Sequence, residues 1–281
     1  MTWTVVAKKD FLDARLSWGL WVLAALFVLF SGAMAYAYTR LAPAGVGTGE
    51  ADSIGLLVFL SSPVTLFVSI AAIVICYKSI AGETESGSGK LLLSLPHTRR
   101  DVLVGKIAGR TAVLVIPLLV GLGVALAIVL ALYAEFSAVD YLGFTLLTVL
   151  FAFVYVGLIV SVSALTRSTS KALAGALSLF VILEVLWGVV PLAIVFVTNG
   201  FSLPPNGQLP EWAQFVSQLA PSAAYGNAIL KLLPGSAQLP AGLVPASDAV
   251  YFSGWFSLAV LLAWLLVPLG FGIVRYQQVD L

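Results

Sequence analysis

The stretch GLLVFLSSPVTLFVSIAAIVICY, residues 55–77, holds no charged side chain. At about 1.5 Å per residue, a helix of that length measures roughly 35 Å, enough to cross a hydrocarbon core of about 30 Å. Runs of the same kind recur at 18–38, 109–133, 142–165, 172–197 and 252–274. The sequence therefore predicts an all-α, polytopic membrane bundle of six spanning helices. Composition agrees. Of 281 residues, 60% are hydrophobic and 10% charged, where a soluble domain carries about 25% charged residues. The first run is too long and too aromatic for a signal peptide and lacks a small-residue cleavage site, so it is read as a retained helix.

The positive residues set the orientation, because they are retained in the cytoplasm. With the N-terminus inside, Lys8, Lys9, Arg15, Lys78, Lys90, Arg99, Arg100, Lys106, Arg110, Arg167, Lys171 and Arg275 are cytoplasmic, and only Arg40 and Lys231 lie outside. Six spans return the C-terminus to the cytoplasm. Glu50, Asp52, Glu135, Asp140, Glu211 and Asp248 then face outward. The net charge of +1 offers no footprint for nucleic acid. One cysteine, Cys76, permits no intrachain disulfide, and with one histidine, His97, leaves no internal zinc site.

Residues 2–17 read as an N-terminal helix lying at the cytoplasmic membrane surface. Trp3, Val6, Ala7, Phe11, Ala14 and Trp18 share a broad face and Lys8 and Lys9 lie away from it. Asp10 intrudes on the apolar side and Leu12 on the polar one. Residues 198–250 form a long external region rich in proline, in which EWAQFVSQLA (211–220) and AAYGNAILKLL (223–233) have helical periodicity. These are expected as short helices at the outer interface before the last span. Pro63, Pro117, Pro191 and Pro268 interrupt the second, third, fifth and sixth spans.

Residues 78–108 form the one sizeable cytoplasmic loop. Its Gly-Ser-Gly-Lys at 87–90 suggests a phosphate-binding loop, but such a loop needs a glycine six residues before the lysine and a hydroxyl after it. Thr84 and Leu91 stand there instead. Beyond Pro96, Thr98 and Asp101 have the spacing of a capping box, opening a helix that runs into the third span.

Glu184 is the sole formally charged residue deep in a span, and intramembrane carboxylates are costly enough to be functional candidates. It is expected either to line a pathway or dimer seam, or to be protonated and bonded to a serine or backbone carbonyl of a neighbouring helix. The spans pair it with no acid, histidine or arginine, which argues against a proton relay or intramembrane hydrolysis. No catalytic, cofactor-binding or metal site assembles from the sequence.

The loop AGETESGSGKLLLSLPHTRRDVLVGKIAGR, residues 81–110, resembles the first cytoplasmic loop of ABC-2 type transporter permeases. Glu83, Glu85, Gly87, Leu92, Leu93, Ser94, Pro96, Thr98, Arg99, Gly105 and Lys106 fall on the family pattern. SALTRSTSKA (163–172) and LAPSAAYGNAI (219–229) extend the resemblance over the whole chain, which is closest in type to the NosY-type and related prokaryotic permeases. The resemblance implies a single ABC-2 type transmembrane domain, 1–281, whose 78–108 loop docks as a coupling helix on a separate ABC ATPase subunit. Glu83, Glu85, Leu91, Leu92, Leu93, Pro96, Arg99 and Arg100 would make that contact. ATP and Mg would sit on the partner subunit, with no cofactor on this chain. The permease would act as a homodimer, or as a heterodimer with a related permease, embedded in membrane lipid, exporting a substrate that the sequence does not name. A membrane scaffold that anchors a partner complex is the alternative, and a membrane-embedded enzyme a weaker one, since no catalytic constellation is present.

Overall fold

Six helices are long and apolar enough to cross a membrane, in the order and nearly at the bounds the hydropathy predicts. The computed structural model describes residues 3–15, 18–43, 52–87, 98–202, 209–240 and 249–278. A short helix α1 (Trp3–Arg15) precedes the first span, α2 (Trp18–Leu41). The second span is α3 (Ser53–Cys76), followed by the short α4 (Ala81–Glu85). Helices α5 (Arg99–Leu132) and α6 (Ala138–Ala164) are the third and fourth spans. The fifth is composite: α7 (Thr169–Phe180), a π-helical turn (Val181–Leu186) and α8 (Trp187–Thr198). Two shorter helices, α9 (Glu211–Gln218) and α10 (Pro221–Leu232), precede the last span, α11 (Gly254–Gln278). No strand occurs among the described residues, only an isolated bridge between Asp52 and Glu135.

Local chemistry sets the helix starts. Asp52 caps α3 by accepting from the Gly55 amide at 3.2 Å. Thr98 and Asp101 form the full capping box expected of them, at 3.1 and 3.3 Å, and open α5. At 34 residues α5 is about 50 Å long, well beyond a bilayer core, so its first turns project past the membrane.

The core lies around α6, whose apolar window is 67% buried, against 17% for the first and fifth spans. The first and fifth spans are therefore the lateral walls. Close approach to α5 depends on missing side chains. A Cβ on Gly105 would lie 2.7 Å from the Trp3 carbonyl oxygen, one on Gly109 2.9 Å from that of Ala7, and one on Gly121 2.7 Å from that of Phe27. Backbone rests on backbone at all three.

Helix α1 consequently gives its inward face to α5. Val6 and Asp10 are buried there, while Trp3, expected on the same face, is exposed. Of the two external helices, α10 differs from expectation. The sequence places them at the outer interface, yet Ala224, Tyr225, Asn227, Ala228 and Ile229 of α10 are buried. Tyr225 Oη meets Thr148 Oγ1 at 2.7 Å, roughly 15 Å along α6 from its first residue. Asn227 Nδ2 donates to Phe252 O and Ser257 Oγ at 3.0 and 2.8 Å. A 12-residue helix is too short to register as a span, and its polar groups find partners only in the folded bundle.

Candidate functional site

Two polar clusters stand out, one at the end of the bundle that carries α1 and one inside it. In the first, Asp10 of α1 is 8% exposed and its Oδ2 lies 2.9 Å from Arg110 Nε. Lys106 Nζ lies 3.7 Å from Asp10 Oδ1 and donates to Glu83 Oε1 at 2.7 Å. Arg110 Nη1 also donates to the Ile75 carbonyl at 3.3 Å. Two acids and two bases thus join α1, α4, α5 and the end of α3. Buried charges persist only when paired, so the residue that breaks the amphipathic pattern of α1 is the one that locks it.

Helix α4 is tied on its other side to the corner between α6 and α7. The Ile80 and Ala81 amides both donate to Ser163 Oγ at 3.1 Å. Glu85 Oε2 accepts from the Thr169 amide at 3.0 Å, in the first turn of α7. An anion is favoured at that helix end. Glu85 itself is exposed, at the last residue of α4. Of the residues expected to contact a partner, Glu83 turns to Lys106, Glu85 to Thr169, and Arg100 is exposed at the start of α5. The backbone of Arg99 is the first residue of α5. Leu91, Leu92, Leu93 and Pro96 lie outside the described residues.

The second cluster surrounds Glu184. Its carboxylate accepts from Tyr155 Oη of α6 and lies 3.4 Å from Ser69 Oγ of α3. Among the described residues no lysine or arginine is within ion-pair distance of it. Glu184 sits in the π turn, an extra residue per turn that often marks functional sites. There Leu183 is buried while Val181, Ile182, Val185 and Leu186 stay exposed. The sequence points to Glu184 and to a serine partner. Tyr155, its closest hydroxyl, is invisible in an apolar run.

One helical turn from Glu184 the sequence reading also missed a pair. Trp187 and Trp264 lie edge to face, ring centroids 6.3 Å apart. Their indole N–H groups donate at 2.7 Å to the carbonyls of Val216 and Leu219, at the end of α9. A shared spacing could have signalled it: each tryptophan stands four residues before the proline of its span, Pro191 or Pro268. The two tryptophans line an apolar cavity of about 320 Å³. A second cavity, about 270 Å³, lies at the opposite end of the bundle from α1, beside Asp52, Glu135 and Asp140. No group of residues able to hold a metal ion is found among the described residues.

The chain matches the family described as ABC-2 family transporter protein over residues 4–281. It is 28% identical over 286 aligned residues to the probable ABC transporter permease protein NosY of Pseudomonas aeruginosa, with 99% of each chain covered. It is 26% identical over 201 residues to the probable ABC transporter permease protein NosY of Stutzerimonas stutzeri, covering 69% of this chain and 71% of that one.

Proposed function

The chain belongs to the ABC-2 family of transporter proteins, and from that premise we propose that it is the membrane half of an ATP-driven exporter of apolar or amphipathic cargo. It is a permease subunit of an ABC transporter and a multi-pass protein of the cell membrane. The family implies an ATPase partner. In our reading the end of the bundle bearing α1 is cytoplasmic, and the segment between α4 and α5 docks on that partner, which holds ATP and Mg. Two permease chains, identical or related, pair with two ATPase subunits. Glu184 lines the cargo pathway or the seam between permeases.

The observation that carries this reading is the bracing of both ends of the docking segment. On one side Glu83 holds Lys106 and Glu85 holds the Thr169 amide. On the other, α5 runs as one helix from Arg99 through the membrane to Leu132. A push on the segment is therefore delivered to α5, to the foot of α7 and to α1 together. The spans are aliphatic and aromatic with few polar groups, which favours an apolar or amphipathic cargo. The test is co-purification of the tagged chain with an ABC ATPase from its own cell, followed by ATP-dependent transport in vesicles. A stable complex that hydrolyses ATP and moves no solute supports a scaffold instead. Absence of any ATPase partner removes the proposal.

A further inference from the structure

Five of the six spans are continuous α-helices, and the fifth is interrupted at Val181–Leu186 by the π turn. Such a turn holds one residue more than the α-helix needs, and it is a place where a helix can bend. Proline does not account for it, since Pro191 lies beyond the turn, in α8.

Hydrogen bonds tie this span to its neighbours at three levels. At the foot of α7 the Thr169 amide donates to Glu85 Oε2 of α4. In the turn Glu184 accepts from Tyr155 Oη of α6, with Ser69 Oγ of α3 3.4 Å away. At the start of α8 Trp187 Nε1 donates to the Val216 carbonyl of α9 at 2.7 Å. The lower segment is therefore tied to α4 and the docking segment, the upper one to the external helices, and the π turn stands between them. Within the turn only Leu183 is buried, while Val181, Ile182, Val185 and Leu186 are exposed, so packing leaves it room to bend.

We propose that the π turn is a hinge in the fifth span, latched by the hydrogen bond between Glu184 and Tyr155, about which α7 moves against α8. The inference rests on the permease reading for the source of the motion, an ATP-driven displacement of the docking segment that reaches α7 through Glu85. When the surplus residue passes to the other side of Glu184, that side chain turns by one residue, roughly 100° about the helix axis, and leaves Tyr155. The released carboxylate meets hydrocarbon, which is costly, so the latched form is the resting state. A few residues suffice to absorb such a change in backbone angles.

The experiment places nitroxide labels on Leu173→Cys and Ile194→Cys, exposed positions on either side of the turn, in a full-length chain carrying Cys76→Ser. The labels stand roughly 30 Å apart along the span, and pulsed electron resonance in nanodiscs reads the distance distribution. Tyr155→Phe and Glu184→Leu should each broaden it about twofold. Deleting Val185 removes the surplus residue and keeps the faces of α7 and α8 in register, so it should narrow the distribution and leave the unfolding temperature close to wild type. Deleting Val120, equally exposed but within the regular helix α5, should lower that temperature sharply. An unchanged distribution in both latch variants overturns the proposal, as does a Val185 deletion that unfolds like the Val120 deletion. Should Tyr155→Phe fail to fold, Glu184→Leu, which strands no carboxylate, decides. In the complex with its co-purified ATPase, a non-hydrolysable ATP analogue should shift the wild-type distance and leave the Val185 deletion unmoved. A complex that binds the analogue without a shift overturns the hinge and leaves the permease assignment standing. Absence of an ATPase partner strikes the permease reading instead, and the variants of the isolated chain then decide the hinge.

Discussion

Asp10 and Arg110 meet across the seam between α1 and α5, Oδ2 to Nε at 2.9 Å, with Asp10 almost out of solvent. Removing one member of a buried pair strands the other and costs about 3–5 kcal/mol. Asp10→Leu takes the carboxylate away from Arg110, while Lys106 keeps Glu83, whereas Asp13→Leu, at an exposed site on the same helix, removes nothing comparable. Thermal unfolding in detergent should show a large drop for the first and little change for the second. The double variant Asp10→Leu with Arg110→Leu should recover part of the loss, because an apolar pair carries no desolvation debt.

The glycines of α5 make a second comparison. A Cβ at Gly105 meets the Trp3 carbonyl at 2.7 Å, but one at Gly123 meets nothing within 4 Å. Gly105→Ala should therefore destabilise by about 1–3 kcal/mol through overpacking, less the roughly 1 kcal/mol that alanine returns in helix propensity. Gly123→Ala keeps the propensity term alone. Unfolding midpoints should order Gly123→Ala at or above wild type and Gly105→Ala below it, and Gly105→Val should fall further still.

Orientation is checked by labelling. After Cys76→Ser removes the single thiol, cysteines are placed one at a time at positions 88 and 206. An impermeant maleimide added outside intact cells should modify Asn206→Cys and spare Ser88→Cys. Reaction at position 88 alone inverts the topology proposed above.

The docking segment makes opposite demands on two neighbours. In a nucleotide cradle Lys90 would be indispensable. In a docking segment it is a rim charge worth about 0–1 kcal/mol, and apolar anchors carry the interface. Lys90→Ala should leave ATPase activity of the assembled complex close to wild type. Leu92→Asp should release the ATPase subunit in a pull-down, since a carboxylate would be desolvated where a leucine packs. Saturable binding of an ATP analogue to the isolated chain, lost in Lys90→Ala, defeats this reading.

Hydropathy alone determined that this chain crosses the membrane six times as helices, because an apolar run of that length has few other stable homes in a cell. The capping box at Thr98 was equally legible, since its chemistry is confined to four consecutive residues. Glu184 was legible as an anomaly, an acid where none is cheap. Its partners were not: Tyr155 is 29 positions away in sequence, and nothing local distinguishes it from any other aromatic residue in an apolar span. Asp10 read as a flaw in α1 until Arg110 and Lys106 came against it from α5. The burial of α10 and the pairing of Trp187 with Trp264 belong to the same class. Span and cap signals are written in neighbouring residues, each bearing its own free energy of transfer or its own hydrogen bond. A buried polar group has no such signature, because whether it costs or stabilises depends on which distant side chain the packing of the helices brings to it.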